Sequence, residues 1–347
     1  MKILVRGSNW IGDAVMNIPA LKELRRIFPD AEITLHTRSW AEGLFCDVDF
    51  IDELVTFDGS RWKIKDVYQQ SAFLKGDKFD IAILFPNSFE SALTTLLTNV
   101  PRRFGYNKDL RGLLLTDPIA VPEWKGRRHE AYYYLNLIAE VESRVLGRQT
   151  IMEPPNTTLE IPETRRSDAR SFLRTAGIAG EKKIVGLGVG STNSLAKRWP
   201  AERYAALADR IQTETGADVI LLGDKKEIDV SNEVARLAVR KPFILTGTTD
   251  LATAAAVLAE IDLFISNDMG LAHVAPAVGT RTLVLFGPTN SVTTRPFSSL
   301  ADVMEANVEC APCMLRTCPI DHRCMVNLSV DDVFDKVLIL LQLNDTP

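Results

Sequence analysis

The residues best suited to chemistry lie between Asp262 and Pro288. An apolar strand, Leu263 to Ser266, is predicted to end in Asn267-Asp268-Met269-Gly270, and a short apolar helix with His273 in its first turn follows. Thr282 to Phe286 then predicts a second strand. Ligands of open α/β sheets bind at the carboxyl ends of such strands, and a helix N-terminus favours a phosphate. An equally good interpretation is that Asp268 caps the helix and His273 packs in the core.

A second candidate site follows the first predicted strand, Lys2 to Val5. Gly7 and Gly12 have the spacing of a phosphate-binding loop, but no Lys-Ser/Thr pair follows them, which argues against ATP hydrolysis. Asp13 lies at the start of the next helix. It is either a general base at the ligand-binding edge or an acid that stabilises the helix dipole.

The elements that position these residues form two α/β halves. Strands are predicted at 32–37, 51–57, 79–85, 183–188, 217–222 and 243–245, and helical patterns separate them. A chain of 347 residues exceeds the usual size of one core. The proline-rich segment near residue 155 is the clearest linker. We therefore predict Rossmann-like domains at 1–155 and 156–328 with a cleft between them, and a final helix within 329–347.

Composition limits the class of protein. The chain is 46% hydrophobic and 24% charged with a net charge of −5, which argues against general nucleic-acid binding. No apolar run is long enough to span a membrane. The first residues, MKILVRGSNW, lack the apolar core of a signal peptide, which favours a cytoplasmic location.

Polar residues after the strands of the second half predict a site for a phosphorylated ligand. They are Ser191, Thr192, Lys197, Asp224, Thr246, Asp268, Gly270 and His273. Lys197 is an isolated cation that would pair with a diphosphate, or else a surface lysine beside a helix-starting proline. No G-x-G-x-x-G follows the first strand of either half, and no G-x-S-x-G occurs, which argues against a nicotinamide cofactor and a serine nucleophile.

Three basic loops stand out in this acidic protein. They contain Arg61, the pair Arg102-Arg103 and the pair Arg127-Arg128. Each loop alone is typical of a solvated surface, but together they favour a polyanionic acceptor.

Four of the five cysteines, Cys310, Cys313, Cys318 and Cys324, lie close together in the sequence. Cys310 and Cys313 have the spacing of a zinc knuckle, whereas Cys318 and Cys324 are further apart in the sequence than the usual second pair of ligands. A structural zinc site and four ordinary thiols both remain open.

An ordered set of motifs identifies a family. The chain resembles the ADP-heptose:lipopolysaccharide heptosyltransferases, and most closely their heptosyltransferase II branch, along essentially its whole length. The motifs are Asn9-Trp10-Ile11-Gly12-Asp13, Ala196-Lys197-Arg198-Trp199-Pro200, Asn267-Asp268-Met269-Gly270-Leu271-Ala272-His273 and Phe286-Gly287-Pro288-Thr289.

The resemblance implies a GT-B glycosyltransferase, with the acceptor on the N-terminal domain and the nucleotide-sugar on the C-terminal domain. It implies inverting transfer of L-glycero-D-manno-heptose from ADP-heptose to heptosyl-Kdo2-lipid A at the cytoplasmic membrane face, without a metal ion. The basic loops would meet acceptor carboxylates and phosphates. The final helix would cross back to the first domain.

The resemblance also implies roles for single residues. Asp13 matches the base and Lys197 the residue on the donor phosphates, while Asp268, Gly270 and His273 match the donor-binding turn. Thr192 and Asn193 align with a donor-contacting polar pair, and Asp224 or Glu227 with an acidic donor-site residue. Many relatives have Ser or Thr where this chain has Met269, so only the backbone N–H of Met269 would bind a phosphate.

Two other classes of function remain open. One is a different enzyme of the same architecture, either a heptosyltransferase with another acceptor or a nucleotide-sugar 2-epimerase. The other is a non-catalytic protein that binds a nucleotide-sugar. Acceptor-dependent turnover that requires Asp13 would distinguish the predicted transferase from both.

Overall fold

The computed structural model describes residues 1–58, 64–151 and 154–343. They divide into two compact units, Met1–Thr157 and Thr158–Pro347. The division falls directly after the proline-rich segment that the sequence indicates as a linker.

The first unit is one parallel six-stranded sheet with helices, and its strand order is β3-β2-β1-β4-β5-β6. The elements are β1 Lys2–Arg6, α1 Ile11–Ile27, β2 Glu32–Arg38, α2 Glu42–Phe45, β3 Glu53–Phe57, α3 Ile64–Leu74, β4 Ile81–Leu84, α4 Phe89–Leu97, β5 Arg102–Tyr106, β6 Asp117–Ile119 and α5 Glu130–Leu146. All carboxyl ends of the strands therefore lie at one edge of the sheet.

The second unit repeats this plan with the strand order β12-β11-β10-β7-β8-β9, again with all pairs parallel. Its elements are α6 Glu163–Thr175, β7 Ile184–Gly188, α7 Ala201–Arg210, β8 Asp218–Leu221, α8 Ile228–Leu237, β9 Phe243–Ile244, α9 Leu251–Leu258, β10 Leu263–Asn267, α10 Gly270–Ala277, β11 Thr282–Phe286, α11 Ser291–Thr294, β12 Ala301–Glu305, α12 Arg323–Val326 and α13 Val330–Leu343. The predicted α/β class with two parallel-sheet units is confirmed.

The central strands are continuous buried runs because helices cover parallel sheets on both faces. All five residues of β7 and of β10 are buried. The two strands pack so closely that a Cβ atom on Gly188 would lie 2.7 Å from the Ser266 Cβ atom. The glycine at this position lets the strand ends approach each other at the edge where the candidate site lies.

One segment that the sequence presents as a basic loop is a strand. In β5 the side chains of Phe104 and Tyr106 are fully buried, and the Tyr106 hydroxyl donates to the Tyr133 carbonyl at 2.7 Å. Arg102 and Arg103 stand at the start of this strand. The apolar alternation after the two arginines, and not their charge, decides the local structure.

The last helix packs on the second unit. Val333, Phe334 and Val337 of α13 belong to the same buried cluster as residues of β7, β8 and α7. Ion pairs of 2.7 Å join Arg210 to Asp331 and Lys336 to Asp302. Its apolar face is buried there, and the implied crossing of residues 329–347 to the first domain stays a prediction. None of the described helices is both long and apolar enough to cross a membrane.

Candidate functional site

Asp268 is the centre of the site in the second unit. It directly follows β10, and its side chain is 7% exposed. Its Oδ2 atom lies 2.7 Å from the Lys197 Nζ atom and accepts a hydrogen bond of 2.7 Å from the Thr289 hydroxyl. Its Oδ1 atom is 4.0 Å from His273 Nε2. Asp268 therefore joins the ends of three neighbouring strands, β7, β10 and β11.

Lys197 is not the isolated cation that the sequence suggests. Its partner, Asp268, lies 71 positions later in the chain, so the sequence does not show the pairing. Lys197 remains 25% exposed, and an ammonium group has three protons to donate. The ion pair orients the ammonium while leaving part of it available to an anionic ligand.

Asn267 holds the site together, a structural role that its place in the polar turn does not reveal in the sequence. The side chain is fully buried. Its Nδ2 donates to the carbonyls of Val189 and Gly190 at 3.0 and 3.1 Å, and its Oδ1 accepts from the Trp199 N–H at 2.9 Å and the Tyr204 hydroxyl at 3.0 Å. An amide at the end of a buried strand is the sequence signal for this role, because a buried polar group requires hydrogen-bond partners.

The N-terminus of α10 offers backbone donors to an anion. Met269 is the N-cap residue and makes no side-chain capping hydrogen bond. Its side chain packs instead against Ala272, Val284 and Phe286. The first N–H groups of a helix have no partner within the helix, and the helix dipole favours negative charge there. This geometry fits a phosphate next to the Lys197–Asp268 pair.

Glu227 supplies a buried carboxylate after β8. It is 2% exposed, its Oε2 accepts from the Asp224 N–H at 2.9 Å, and its Oε1 accepts from the Thr192 hydroxyl at 3.2 Å. Burial raises the pKa of Glu227 above its usual value. A Cβ atom on Gly190 or Gly223 would lie 2.2 or 2.6 Å from the Glu227 carboxyl group. Two glycines therefore make room for this carboxylate.

Two of the predicted donor contacts, Asp224 and Thr246, also make hydrogen bonds within the second unit. Asp224 is exposed, and its carboxylate accepts from the Lys226 N–H at 2.9 Å, so it caps the following helical turn. Thr246 is 3% exposed, and its hydroxyl is hydrogen bonded to the Ser231 hydroxyl at 2.7 Å. Of the two acidic residues that the resemblance offers for the donor site, Glu227 is buried and Asp224 is exposed, and the donor contacts of Asp224 and Thr246 stay predictions.

The remaining predicted donor residues form the loop after β7. Ser191 is buried, and its carbonyl accepts from Arg198 Nη2 at 3.2 Å. Thr192 and Asn193 are exposed, although the Thr192 hydroxyl also reaches Glu227. This loop and the α10 turn thus present polar groups at one edge of the second sheet.

In the first unit Asp13 lies half-buried in the first turn of α1, where sequence reasoning placed it. The Tyr134 hydroxyl, from α5, is 3.4 Å from Asp13 Oδ1. Burial, followed by the charge of Asp13, raises the pKa of Tyr134 well above its usual value, so this phenol stays neutral and donates. Tyr134 could not be identified as a neighbour of Asp13 from the sequence, because α5 lies more than a hundred residues from α1.

The predicted acceptor arginines fall into different environments. Arg102 Nη2 donates to Asp117 Oδ1 at 2.8 Å, and Arg103 donates to the carbonyls of Leu114 and Val100 at 2.8 and 2.6 Å. Both lie at the amino end of β5, on the sheet edge opposite to Asp13. Their acceptor role stays a prediction, although these hydrogen bonds already occupy part of each guanidinium group. Arg61 lies outside the described residues.

Arg127 and Arg128 precede α5 and are exposed. Arg127 Nη2 donates to the Glu123 carbonyl at 2.8 Å, and the Arg128 guanidinium lies 3.5 Å from the centre of the Tyr132 ring. The N-terminus of α5 follows the carboxyl end of β6, so these two arginines stay predicted acceptor contacts.

The cysteine segment packs against the loops of the site. Cys310 and Cys313 are exposed, Cys318 is half-buried and Cys324 is buried, all as free thiols. Across residues 1–58, 64–151 and 154–343, no group of three His, Cys, Asp or Glu side chains is arranged to hold a metal ion. The zinc interpretation and the four ordinary thiols both stay open.

Backbone contacts show a structural role of this segment. The Ala196 N–H donates to the Arg316 carbonyl at 3.0 Å, and the Met314 N–H donates to the Pro288 carbonyl at 2.7 Å. His322 Nε2 lies 2.6 Å from the Ala196 carbonyl. The segment thereby supports the residues that flank Lys197 and Thr289.

Comparisons with known proteins agree with this geometry. Residues 69–323 match the family model of glycosyltransferase family 9 (heptosyltransferase). The chain is 28% identical over 316 residues to lipopolysaccharide heptosyltransferase 2 of Salmonella typhimurium and 27% identical over 310 residues to lipooligosaccharide heptosyltransferase 2 of Haemophilus influenzae, with 88% of each chain covered in both cases. The solved structure of Escherichia coli ADP-heptose lipopolysaccharide heptosyltransferase II superposes with a TM-score of 0.86 at 25% identity and covers 100% of both chains.

Proposed function

Because the chain belongs to glycosyltransferase family 9 (heptosyltransferase) and has the GT-B type of fold, we propose that it transfers L-glycero-D-manno-heptose from ADP-heptose to heptosyl-Kdo2-lipid A. The heptosyltransferase 2 relatives and the ADP-heptose enzyme of known structure support this donor and acceptor. The observation that carries the proposal is the Lys197–Asp268 ion pair beside the uncapped N-terminus of α10. We place the enzyme at the cytoplasmic membrane face, where such an acceptor is reached.

Lys197 and the first N–H groups of α10 bind the donor diphosphate in this proposal. Negative charge on the diphosphate grows as the bond from the anomeric carbon to the phosphate oxygen breaks. Donors that are already oriented stabilise this charge more in the transition state than in the bound substrate, which accelerates the reaction. Asp268 holds the Lys197 ammonium in place through its 2.7 Å contact.

Asp13 acts as the general base. It takes the proton from the acceptor hydroxyl as that oxygen forms its bond to the anomeric carbon and ADP departs from the opposite face, so the configuration inverts. The neutral Tyr134 hydroxyl, 3.4 Å from Asp13 Oδ1, helps to hold the carboxylate in one orientation.

Glu227 takes the acidic donor-site role. Its carboxylate, buried between two glycines, accepts hydrogen bonds and would accept further ones from sugar hydroxyl groups of the donor. Lys197 and the helix N-terminus supply positive charge at the leaving group, so the proposal includes transfer without a metal ion. Turnover that stays unchanged in excess EDTA is the expected result; loss of turnover that Mg²⁺ restores would contradict it.

The test measures ADP release from ADP-heptose with and without heptosyl-Kdo2-lipid A, for the wild type, Asp13→Asn and the control Asp30→Asn. Asp30 is an exposed carboxylate in the same unit. We expect acceptor-dependent release that falls by about 10²- to 10⁴-fold in Asp13→Asn and is unchanged in the control. Release without acceptor would indicate an epimerase or hydrolase, and donor binding without release would indicate a binding protein.

A further inference from the structure

Two arginines meet over one aromatic ring at the carboxyl edge of the first sheet. Arg6 ends β1 and Arg38 ends β2, and their guanidinium carbons lie 4.1 and 4.6 Å from the centre of the Phe57 ring at the end of β3. The three strands are neighbours in the sheet. Parallel pairing therefore concentrates two positive charges on the same edge as Asp13.

The charge of Arg6 has no carboxylate in contact with it. Arg6 is 3% exposed, and its Nη1 donates to the His36 carbonyl at 3.1 Å. Within the part of the chain that the structure describes, its Nε has no hydrogen-bond partner and no carboxylate oxygen lies within 4.0 Å of its guanidinium nitrogens. Glu90, in the first turn of α4, acts on it only from a greater distance.

Arg6 nevertheless keeps its proton at neutral pH. Burial, and secondarily the charge of Arg38, lower its pKa to about 9. A buried cation without a paired anion is costly, so such a group is normally neutralised by a partner. The described residues do not supply that partner, which points to an anion from outside the chain.

The neighbouring histidine adds no charge. His36 is buried, its ring centre lies 4.7 Å from that of Phe57, and its Nδ1 has no hydrogen-bond partner among the described residues. Burial, followed by Arg6 and Arg38, lowers the pKa of His36 to about 2. His36 therefore stays neutral, and the positive potential comes from the two guanidinium groups.

A hydrogen bond connects this pair to the loop that carries the proposed base. Arg38 Nε donates to Asn9 Oδ1 at 3.2 Å. Asn9 lies in the loop between β1 and α1, four positions before Asp13. Arg38 and Asn9 are only half-buried, so a ligand can reach this end of the cluster.

We propose that Arg6 and Arg38 bind an anionic group of the acceptor, a sugar carboxylate or a phosphate. The inference rests on the proposed function, because it takes Asp13 to face an acceptor hydroxyl. Guanidinium groups bind both kinds of anion through paired N–H donors, and stacking on Phe57 fixes the planes of these groups. An anion held there positions the acceptor beside the base, a role that sequence reasoning gave to Arg102 and Arg103.

The test compares acceptors that differ in charge. The kcat/KM values of the wild type, Arg6→Met and Arg38→Met are measured with a deacylated, water-soluble acceptor, its carboxyl-reduced analogue and its dephosphorylated analogue. Arg26→Met is the control, because Arg26 is an exposed guanidinium on α1 paired with Glu23. We expect kcat/KM of the wild type to be about ten- to a hundredfold higher for the charged acceptor than for one analogue. This ratio corresponds to the free energy that a hydrogen bond to a charged group contributes.

In Arg6→Met and Arg38→Met the acceptor KM should rise and the donor KM should stay constant. The preference for the charged acceptor over its neutral analogue should disappear. The analogue that shows the wild-type preference identifies the anion as carboxylate or phosphate. An equal fall in kcat/KM for all three acceptors would mean a purely structural role and would overturn the proposal. Arg6→Lys keeps the charge without the paired donors and should recover part of the preference if Arg6→Met does not fold.

A binding measurement separates this proposal from the proposed function. Inorganic phosphate and the methyl glycoside of an acidic sugar are titrated into the wild type, Arg38→Met and Arg6→Lys by calorimetry. Binding that the two substitutions weaken would support the site even if no acceptor were turned over. Turnover by a wild type that does not distinguish charged from neutral acceptors would overturn the site while the function stands.

Discussion

The Lys197 ammonium and the Asp268 carboxylate lie 2.7 Å apart at the ends of adjacent strands of the second unit. Asp268 is nearly buried, whereas a quarter of the Lys197 side chain is exposed. The carboxylate therefore orients the ammonium, which in the proposed function binds the donor diphosphate.

This relationship predicts unequal effects of removing the two partners. Lys197→Met should lower kcat by about 10²- to 10³-fold, because the departing diphosphate loses a charged donor. Asp268→Asn should raise donor KM and lower kcat less, because Lys197 keeps its charge but loses its anchor. Steady-state kinetics with varied ADP-heptose measures both, with Lys226→Met as an exposed control in the same unit.

The double variant completes the test. If the two residues act as a unit, Lys197→Met combined with Asp268→Asn should be little worse than Lys197→Met alone. Strictly multiplicative effects would mean that Asp268 acts on the reaction independently of Lys197.

Asn267 should matter for stability more than for chemistry. Asn267→Ala leaves the carbonyls of Val189 and Gly190, the Trp199 N–H and the Tyr204 hydroxyl without their buried partner. We expect the free energy of unfolding of the second unit to fall by about 2–4 kcal/mol. Chemical denaturation followed by fluorescence of a variant that keeps Trp199 as its only tryptophan measures this, with and without Asn267→Ala, and a change below about 0.5 kcal/mol would contradict the crosslinking role.

The glycines around Glu227 should resist substitution. A Cβ atom on Gly190 would lie 2.2 Å from the Glu227 carboxyl carbon, so Gly190→Ala should displace that carboxylate and cost about 1–3 kcal/mol of stability. Donor KM should rise at the same time. Gly76→Ala is the matched control, because no atom lies within 4 Å of a Cβ there. Equal melting temperatures and donor KM values for the two variants would show that Glu227 does not need this space.

His36 should make the first unit sensitive to acid. Its pKa is about 2 in the folded chain because of burial and the two arginines, against 6.5 for an unperturbed histidine. Between these values the unfolded chain binds the extra proton, so the free energy of unfolding falls as pH falls. The slope from this group is about 1.4 kcal/mol per pH unit.

Denaturation of the wild type and His36→Gln between pH 7 and pH 5 checks the prediction. The variant should lose less stability over this interval, because glutamine does not titrate. If the free energy of unfolding falls equally with pH in the two proteins, His36 does not contribute to the acid sensitivity. That result would contradict a buried imidazole that stays neutral in the folded chain.

The sequence by itself determined the α/β class and the location of the motifs. Strands of a parallel sheet are buried on both faces, so they appear as short apolar runs such as Leu263 to Ser266, and the polar turns after them mark the ligand edge. Asp13, Asp268 and the start of α10 could be predicted because each depends only on residues within one turn of the chain.

Only the tertiary structure decided the partners of these residues. Three contacts depend on which strands are neighbours in the sheet: the hydrogen bond from Thr192 to Glu227, the pairing of Lys197 with Asp268, and the stacking of Arg6 and Arg38 on Phe57. Charge alone does not show on which edge of the sheet Arg102 and Arg103 lie, because a basic pair looks the same in sequence at either end of a strand. Strand order and direction place side chains from distant positions in the chain within a few ångströms of one another. This proximity cannot be predicted from the residues next to each of them in the sequence.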